Sequence, residues 1–261
     1  MRRYASLYGS FFRMFVKSLL EYRGSFLILV AAVLSVQGAS LATIWVVMSQ
    51  APSLNGWSLP EVLLIYGLLI FSRSCTQIFT EYIWNLGFMI REGEFDRYLV
   101  RPINPLFHVL ASGLNFEGLV NFPLGLVLII GTGQTLGLFD SPFKIAYLVV
   151  AVASGAVIFF AVNLITATSA FWIIESMPVS AAVFENYLFA HYPLTIFPRG
   201  IQFLLTWIIP YGFASFYPAS YLLGRDVGAL AWLGPLVAAV LLVAGYRFWL
   251  VGLNRYEGAG S

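Results

Sequence analysis

"IAYLVVAVASGAVIFFAVNLITATSAFWII", Ile145–Ile174, is thirty residues without a charge. A segment that long and that apolar crosses a bilayer, with some tilt to absorb its excess over about 20 residues. Ala151 and Gly155, with Ala161, Ala167 and Ala170, give it small side chains suited to close helix contact. Ser25–Pro60 is also free of charge. The chain as a whole is 60% hydrophobic and 10% charged, against about 25% charged in soluble domains. Its 261 residues therefore divide into membrane spans rather than soluble domains.

Working outward, six spans are expected at about 26–48, 62–83, 108–130, 145–173, 200–217 and 229–250. Ahead of them, residues 1–24 place Tyr4, Leu7, Tyr8, Phe11, Phe15 and Leu19 opposite Ser6, Ser10, Arg13 and Lys17. That pattern reads as an amphipathic helix lying in the headgroup layer of membrane lipids. The apolar run that follows does not stop where a secretory leader's would. Residues 175–199, with Glu175, Glu185, His191, Arg199 and three prolines, read as an interfacial helix plus a connector. Pro210 is expected to bend the fifth span.

Basic residues orient the spans. Five precede the first span, Arg91, Arg97 and Arg101 follow the second, and Arg199, Arg247 and Arg255 fall on the same side. Lys144 and Arg225 fall opposite, and Arg73 lies within a span. Both termini and the loop 91–105 are thus expected on the cytoplasmic face of the plasma membrane. The net charge of +2 gives no case for nucleic acid, and the single cysteine permits no intrachain disulfide.

That loop, "REGEFDRYLVRPINP", concentrates charge in a chain that otherwise avoids it. Glu92, Glu94 and Asp96 come first and Arg97 and Arg101 later, the order that complements a helix dipole. Phe95, Tyr98 and Leu99 stand at i, i+3 and i+4 and are expected to form one apolar ridge on a rigid two-turn helix. Pro102 and Pro105 end it. Such a knob suits a groove on a soluble partner, and a plain solvated loop is the alternative.

Gly93–Pro105 matches the pattern G-E-[LF]-D-x-x-L-x-R-P-x-N-P and resembles the first cytoplasmic loop of ABC-2 type exporter permeases. "YPLTIFP" at 192–198, "TWIIP" at 206–210, "YPA" at 217–219 and the tail "RYEGAGS" add to the resemblance. It implies an all-α, type V exporter-like membrane domain: six transmembrane helices, an N-terminal interfacial helix and a cytoplasmic coupling helix. The coupling helix would seat in a separate ATPase subunit through Glu94, Phe95, Asp96, Leu99 and Arg101, flanked by Glu92 and Arg97. ATP and magnesium would belong to that subunit, and a second permease chain, identical or not, would complete the pathway. The two lysines, Lys17 and Lys144, follow no G-x-x-x-x-G run, so the chain carries no P-loop of its own. The aromatic, mostly uncharged spans fit an amphiphilic or hydrophobic substrate.

Inside the spans, Arg73, Gln77 and Glu81 share one helical stripe, and Asn115, Glu117 and Asn121 fall within two turns. Intramembrane charge costs about 2.5–3.5 kcal/mol per residue, so these groups should face one another or a polar path rather than lipid. Both readings stand: a lining for an export route, or a lock between spans two and three. His108 and His191 lack a Cys, Asp or Glu at ligand spacing and read as interfacial. Ser154 lacks the G-x-S-x-G context of a serine nucleophile. The rival function is an ATP-independent membrane-embedded enzyme or scaffold, for which no convergent catalytic set is found.

Overall fold

The computed structural model describes residues 23–50, 53–173 and 175–256. Among these its regular structure is helical, with one isolated bridge, Leu54–Trp57, and no strands. The amphipathic segment expected at 1–24 lies outside the described residues except for its last two positions. In chain order the α-helices are α1 (Arg23–Gln50), α2 (Leu59–Thr80), α3 (Leu86–Arg91), α4 (Asp96–Leu99), α5 (Pro105–Ala111) and α6 (Phe116–Thr135). They continue as α7 (Pro142–Thr168), α8 (Met177–Phe184), α9 (Arg199–Phe203), α10 (Phe216–Leu222) and α11 (Leu230–Arg255). Among the described residues, five helical stretches are long and apolar enough to cross a membrane: α1, α2 through α3, α6, α7 with its extension to Phe171, and α11.

α2 is the axis of the bundle. Leu64, Ile65, Tyr66, Leu68 and Leu69 are all fully buried, as expected of a helix that is apolar on every side. Asn55 and Gly56, both with positive φ, make the tight turn between α1 and α2. Ser58 then opens α2, its backbone N–H donating to Glu61 Oε2 at 2.7 Å. α6 packs on α2 at glycine contacts. A Cβ at Gly118 would stand 2.8 Å from Ile78 N, and one at Gly125 the same distance from Phe71 N. α7 crosses α2 at Gly155, where a Cβ would meet Ser72 Oγ at 2.8 Å. The two ends of the bundle are called below the turn end, with Asn55 and Gly56, and the loop end, with 91–105.

Two of the expected spans are drawn differently. The third does not begin at 108. α5 is a separate short helix, and the chain breaks until Asn115, whose side chain caps α6 by accepting from Gly118 N at 3.0 Å. The helix then runs on to Thr135, past the end expected at about 130.

The second difference is larger. No helix spans 200–217. α9 passes into one π-helical turn, Leu204–Ile208, and at Pro210 the chain reverses rather than bends. It returns through Tyr211–Ala214 and α10. At the tip Tyr211 stacks on Phe159 at 4.6 Å, near the middle of α7, and Thr206 and Tyr217 hydroxyls bridge the two arms at 2.7 Å. Residues 199–225 therefore form a hairpin that enters from the turn end and leaves by it. Arg225 closes it there, donating to Glu61 Oε2 at 2.9 Å and to Gly56 O at 2.7 Å, with its guanidinium 3.9 Å from the Trp57 ring.

The run from loop end to turn end is made instead by 176–196, expected to be interfacial. Ser176 lies against Gly87, Phe184 against Trp84, Tyr187 against Arg73, and His191 against Tyr66. Thr195 ends the run, accepting from Asn55 and Trp57 at the turn end. α8 is followed by 3-10 turns over Glu185–His191 and Leu194–Ile196. With a rise of about 2.0 Å per residue against about 1.5 Å in an α-helix, such a segment covers more distance per residue.

Candidate functional site

The loop 91–105 is held to the bundle by rings. α3 ends with Gly93 at φ 69°, and Phe95 N then donates back to Met89 O at 3.0 Å. This tight reversal aims Phe95 inward, where it is fully buried. Its ring centroid lies 5.0 Å from Tyr256, 5.6 Å from Phe171, and 6.2 Å from Tyr98 and from Trp249. Tyr98 is also buried, 4.4 Å from the His108 ring. The expected ridge is therefore divided. Phe95 and Tyr98 face the protein, and Leu99 faces out. The helix itself is one turn, Asp96–Leu99, rather than two.

The polar groups complete the seat. Asp96 Oδ1 accepts from Tyr256 Oη at 2.8 Å. Arg97 pairs with Glu94 at 3.5 Å, and Arg91 with Glu92 and with Glu175, each at 3.3 Å. Arg101 Nη1 lies 3.2 Å from His108 Nε2. Burial, with the guanidiniums of Arg101 and Arg97, holds the His108 imidazole below its usual pKa, so the neutral ring accepts from Arg101. Asn104 caps α5, accepting from Phe107 N at 3.1 Å. Arg91, Glu92 and Glu94 are exposed at the start of the loop, and beyond the buried rings a second exposed edge follows: Arg97, Leu99, Val100 (82% exposed), Arg101, Pro102 and Asn104.

The second constellation lies between α2, α6 and the 176–196 run. Arg73 Nη2 stands 3.7 Å from Glu81 Oε1 and 3.7 Å from Glu117 Oε1. Its guanidinium faces the rings of Phe184 at 4.4 Å and Tyr187 at 4.7 Å. From Glu117 the polar contacts continue: Asn121 donates to Glu117 at 3.3 Å, Gln37 to Asn121 at 2.7 Å, and Tyr66 Oη to Gln37 at 2.6 Å. Gln77 is buried on the Arg73–Glu81 stripe. Asn115, by contrast, is spent on the α6 cap.

Sequence reasoning missed Gln37, Tyr66, Tyr187 and His191 as members of this cluster. Gln37 had a signal, being the only amide in the 26–48 run. His191 had been read as interfacial. It is buried between Tyr66 and Tyr187, at 4.9 and 5.0 Å, because the segment that carries it runs through the bundle.

A family profile described as ABC-2 family transporter protein matches residues 34–260. No curated protein and no solved structure gives a match. The matched region begins inside α1 and takes in the loop, the charge cluster, the hairpin and α11 together, so that the chain belongs to the ABC-2 family of transporter proteins.

Proposed function

We propose that this ABC-2 membrane protein is the permease subunit of an ATP-driven exporter, and that the loop 91–105 is where a separate ATPase subunit acts on it. One observation carries the reading. An exposed edge, Leu99–Pro102, rides on a ring cluster that touches the loop-end termini of two long helices, through Phe171 after α7 and Trp249 in α11. A push on that edge is passed to both helices, because a packed aromatic core transmits displacement rather than absorbing it.

In this reading Leu99, Val100 and Arg101 meet the ATPase, while Glu94, Asp96 and Arg97 keep the turn rigid and Phe95 joins it to the bundle. Closure of the ATPase pair on ATP and magnesium would rock the permease between two access states. A second permease chain, identical or related, completes the route, since one bundle of this size encloses no gated passage. The loop end faces the cytoplasm of the plasma membrane, with both chain termini on that side, and the cargo is an amphiphile or hydrophobic molecule.

The test is the double substitution Leu99→Asp with Arg101→Glu. Both side chains are exposed, so the permease should insert normally while the ATPase subunit is lost on purification and transport stops. A variant that kept its full ATPase complement and normal transport would reduce the loop to a solvated connector.

A further inference from the structure

At the turn end, between the first halves of α7 and α11, the bundle leaves a groove of about 620 Å³. Its origin is a proline. Pro235 inside α11 has no N–H to give the carbonyl of Ala231, and Tyr147 supplies the missing donor, its hydroxyl bonding Ala231 O at 2.6 Å. The phenol that satisfies this carbonyl bridges the two helices and holds them apart. Phe143, Tyr147, Phe213, Pro218, Trp232 and Pro235 form the walls, and Ala146 and Gly234 add no bulk to fill them. The mouth is turned outward from the bundle, with Phe143 58% and Trp232 51% exposed.

Phe143 also lines the adjoining opening, which contains Ser141, Lys144 and the Gly224 turn. Lys144 Nζ reaches Gly137 O at 3.5 Å and forms no ion pair among the described residues. Arg225, at the same end, is already matched by Glu61. An apolar groove thus runs up to an ammonium without an ion pair, and the rings of Tyr147, Tyr221 and Trp232 pack tilted and edge-on against one another, as aromatic side chains gather at a membrane interface.

We propose that this groove holds one acyl chain of an anionic phospholipid whose phosphate is bound by Lys144. A helix from another chain would fill the groove without a charge of its own for the Lys144 ammonium, whereas an anionic phospholipid brings the phosphate with the chain. An acyl chain needs no hydrogen-bonding partner there, which suits walls that are apolar but for the Trp232 indole N–H and the Tyr147 hydroxyl, the latter already used. The ammonium selects the headgroup.

The test uses the full chain, with the subunits that purify with it, in nanodiscs of mixed phosphatidylglycerol and phosphatidylcholine. Retained lipid is then read by native mass spectrometry after transfer to detergent. Wild type should keep one phosphatidylglycerol with about fivefold preference over phosphatidylcholine. Lys144→Gln should keep a lipid but lose the preference. Ala146→Phe, at an exposed position that fills the groove without disturbing the core, should lose the lipid. Equal retention of both lipids by wild type, unchanged preference in Lys144→Gln, or retained lipid in Ala146→Phe would each overturn the proposal. So would efficient disulfide formation between two copies carrying Ala146→Cys in a Cys75→Ser background, since a second chain would then occupy the groove.

Discussion

Phe95 shows how much one backbone angle decides. Its spacing from Tyr98 and Leu99 was legible as a helical ridge, yet a four-residue helix has too few turns for periodicity to say which side faces inward. The left-handed turn at Gly93 sets that phase, and it delivers Phe95 to the rings of Phe171, Trp249 and Tyr256. Arg73 is the opposite case. Its stripe with Glu81 was readable from spacing alone, because a helix brings i and i+8 to one face. The structure adds Glu117 at the same distance, so two carboxylates share one guanidinium. Arg73→Leu should therefore lower the yield of inserted protein, as it leaves two acids without their cation at a cost of about 3–5 kcal/mol. Adding Glu81→Leu should restore more than adding Glu117→Leu, because the Glu81 side chain is 15% exposed and that of Glu117 is 39%. Yield by fluorescence-detected size exclusion checks the order; an Arg73→Leu variant with wild-type yield and transport would remove both the lock and the pathway roles.

At the scale of elements, the α2–α6 contact is set by what is missing from it. Gly118 and Gly125 let the two backbones approach until Asn115 N bonds Ile78 O at 3.1 Å. Gly125→Ala would press a methyl against the backbone of Phe71, which has no flexible end to give way. We expect a loss of about 1–3 kcal/mol, seen as a lower melting temperature in detergent. Gly131→Ala, on the same helix with nothing within 4 Å, is the control and should hold or slightly raise it. If both variants melt alike, the close approach is not what holds α6 in place. The start of α6 was misjudged from sequence for a related reason. The apolar run is continuous across 105–111, and only the Asn115 cap and the crowding of Gly113 against Tyr82 show where one helix stops and another begins.

For the whole molecule, the path of 176–225 matters most. Arg199 had been placed beside the basic loop 91–105, but it opens the hairpin just beyond Thr195, which is bonded to Asn55 and Trp57 at the opposite end. In a Cys75→Ser background, Arg199→Cys should therefore react with an impermeant maleimide from outside intact cells, and Asn104→Cys only after permeabilisation. Labelling of both from the same face would return the hairpin to the loop end. The sequence by itself determined the class of molecule: long charge-free runs have no stable place but the bilayer. It also drew the eye to the loop 91–105, since a cluster of charge in such a chain is conspicuous at any fold. Which apolar segment runs end to end and which turns back was decided only by tertiary structure. Hydropathy weighs a segment as though lipid were its sole surroundings, so "LTWIIPYGFASFY" looked like a span and the stretch with Glu185 and His191 did not. Within the bundle, the ring of Tyr66 against His191 and the guanidinium of Arg73 against Tyr187 make the interior hospitable to a polar, proline-broken stretch of chain, and that accommodation exists only once the other helices have assembled.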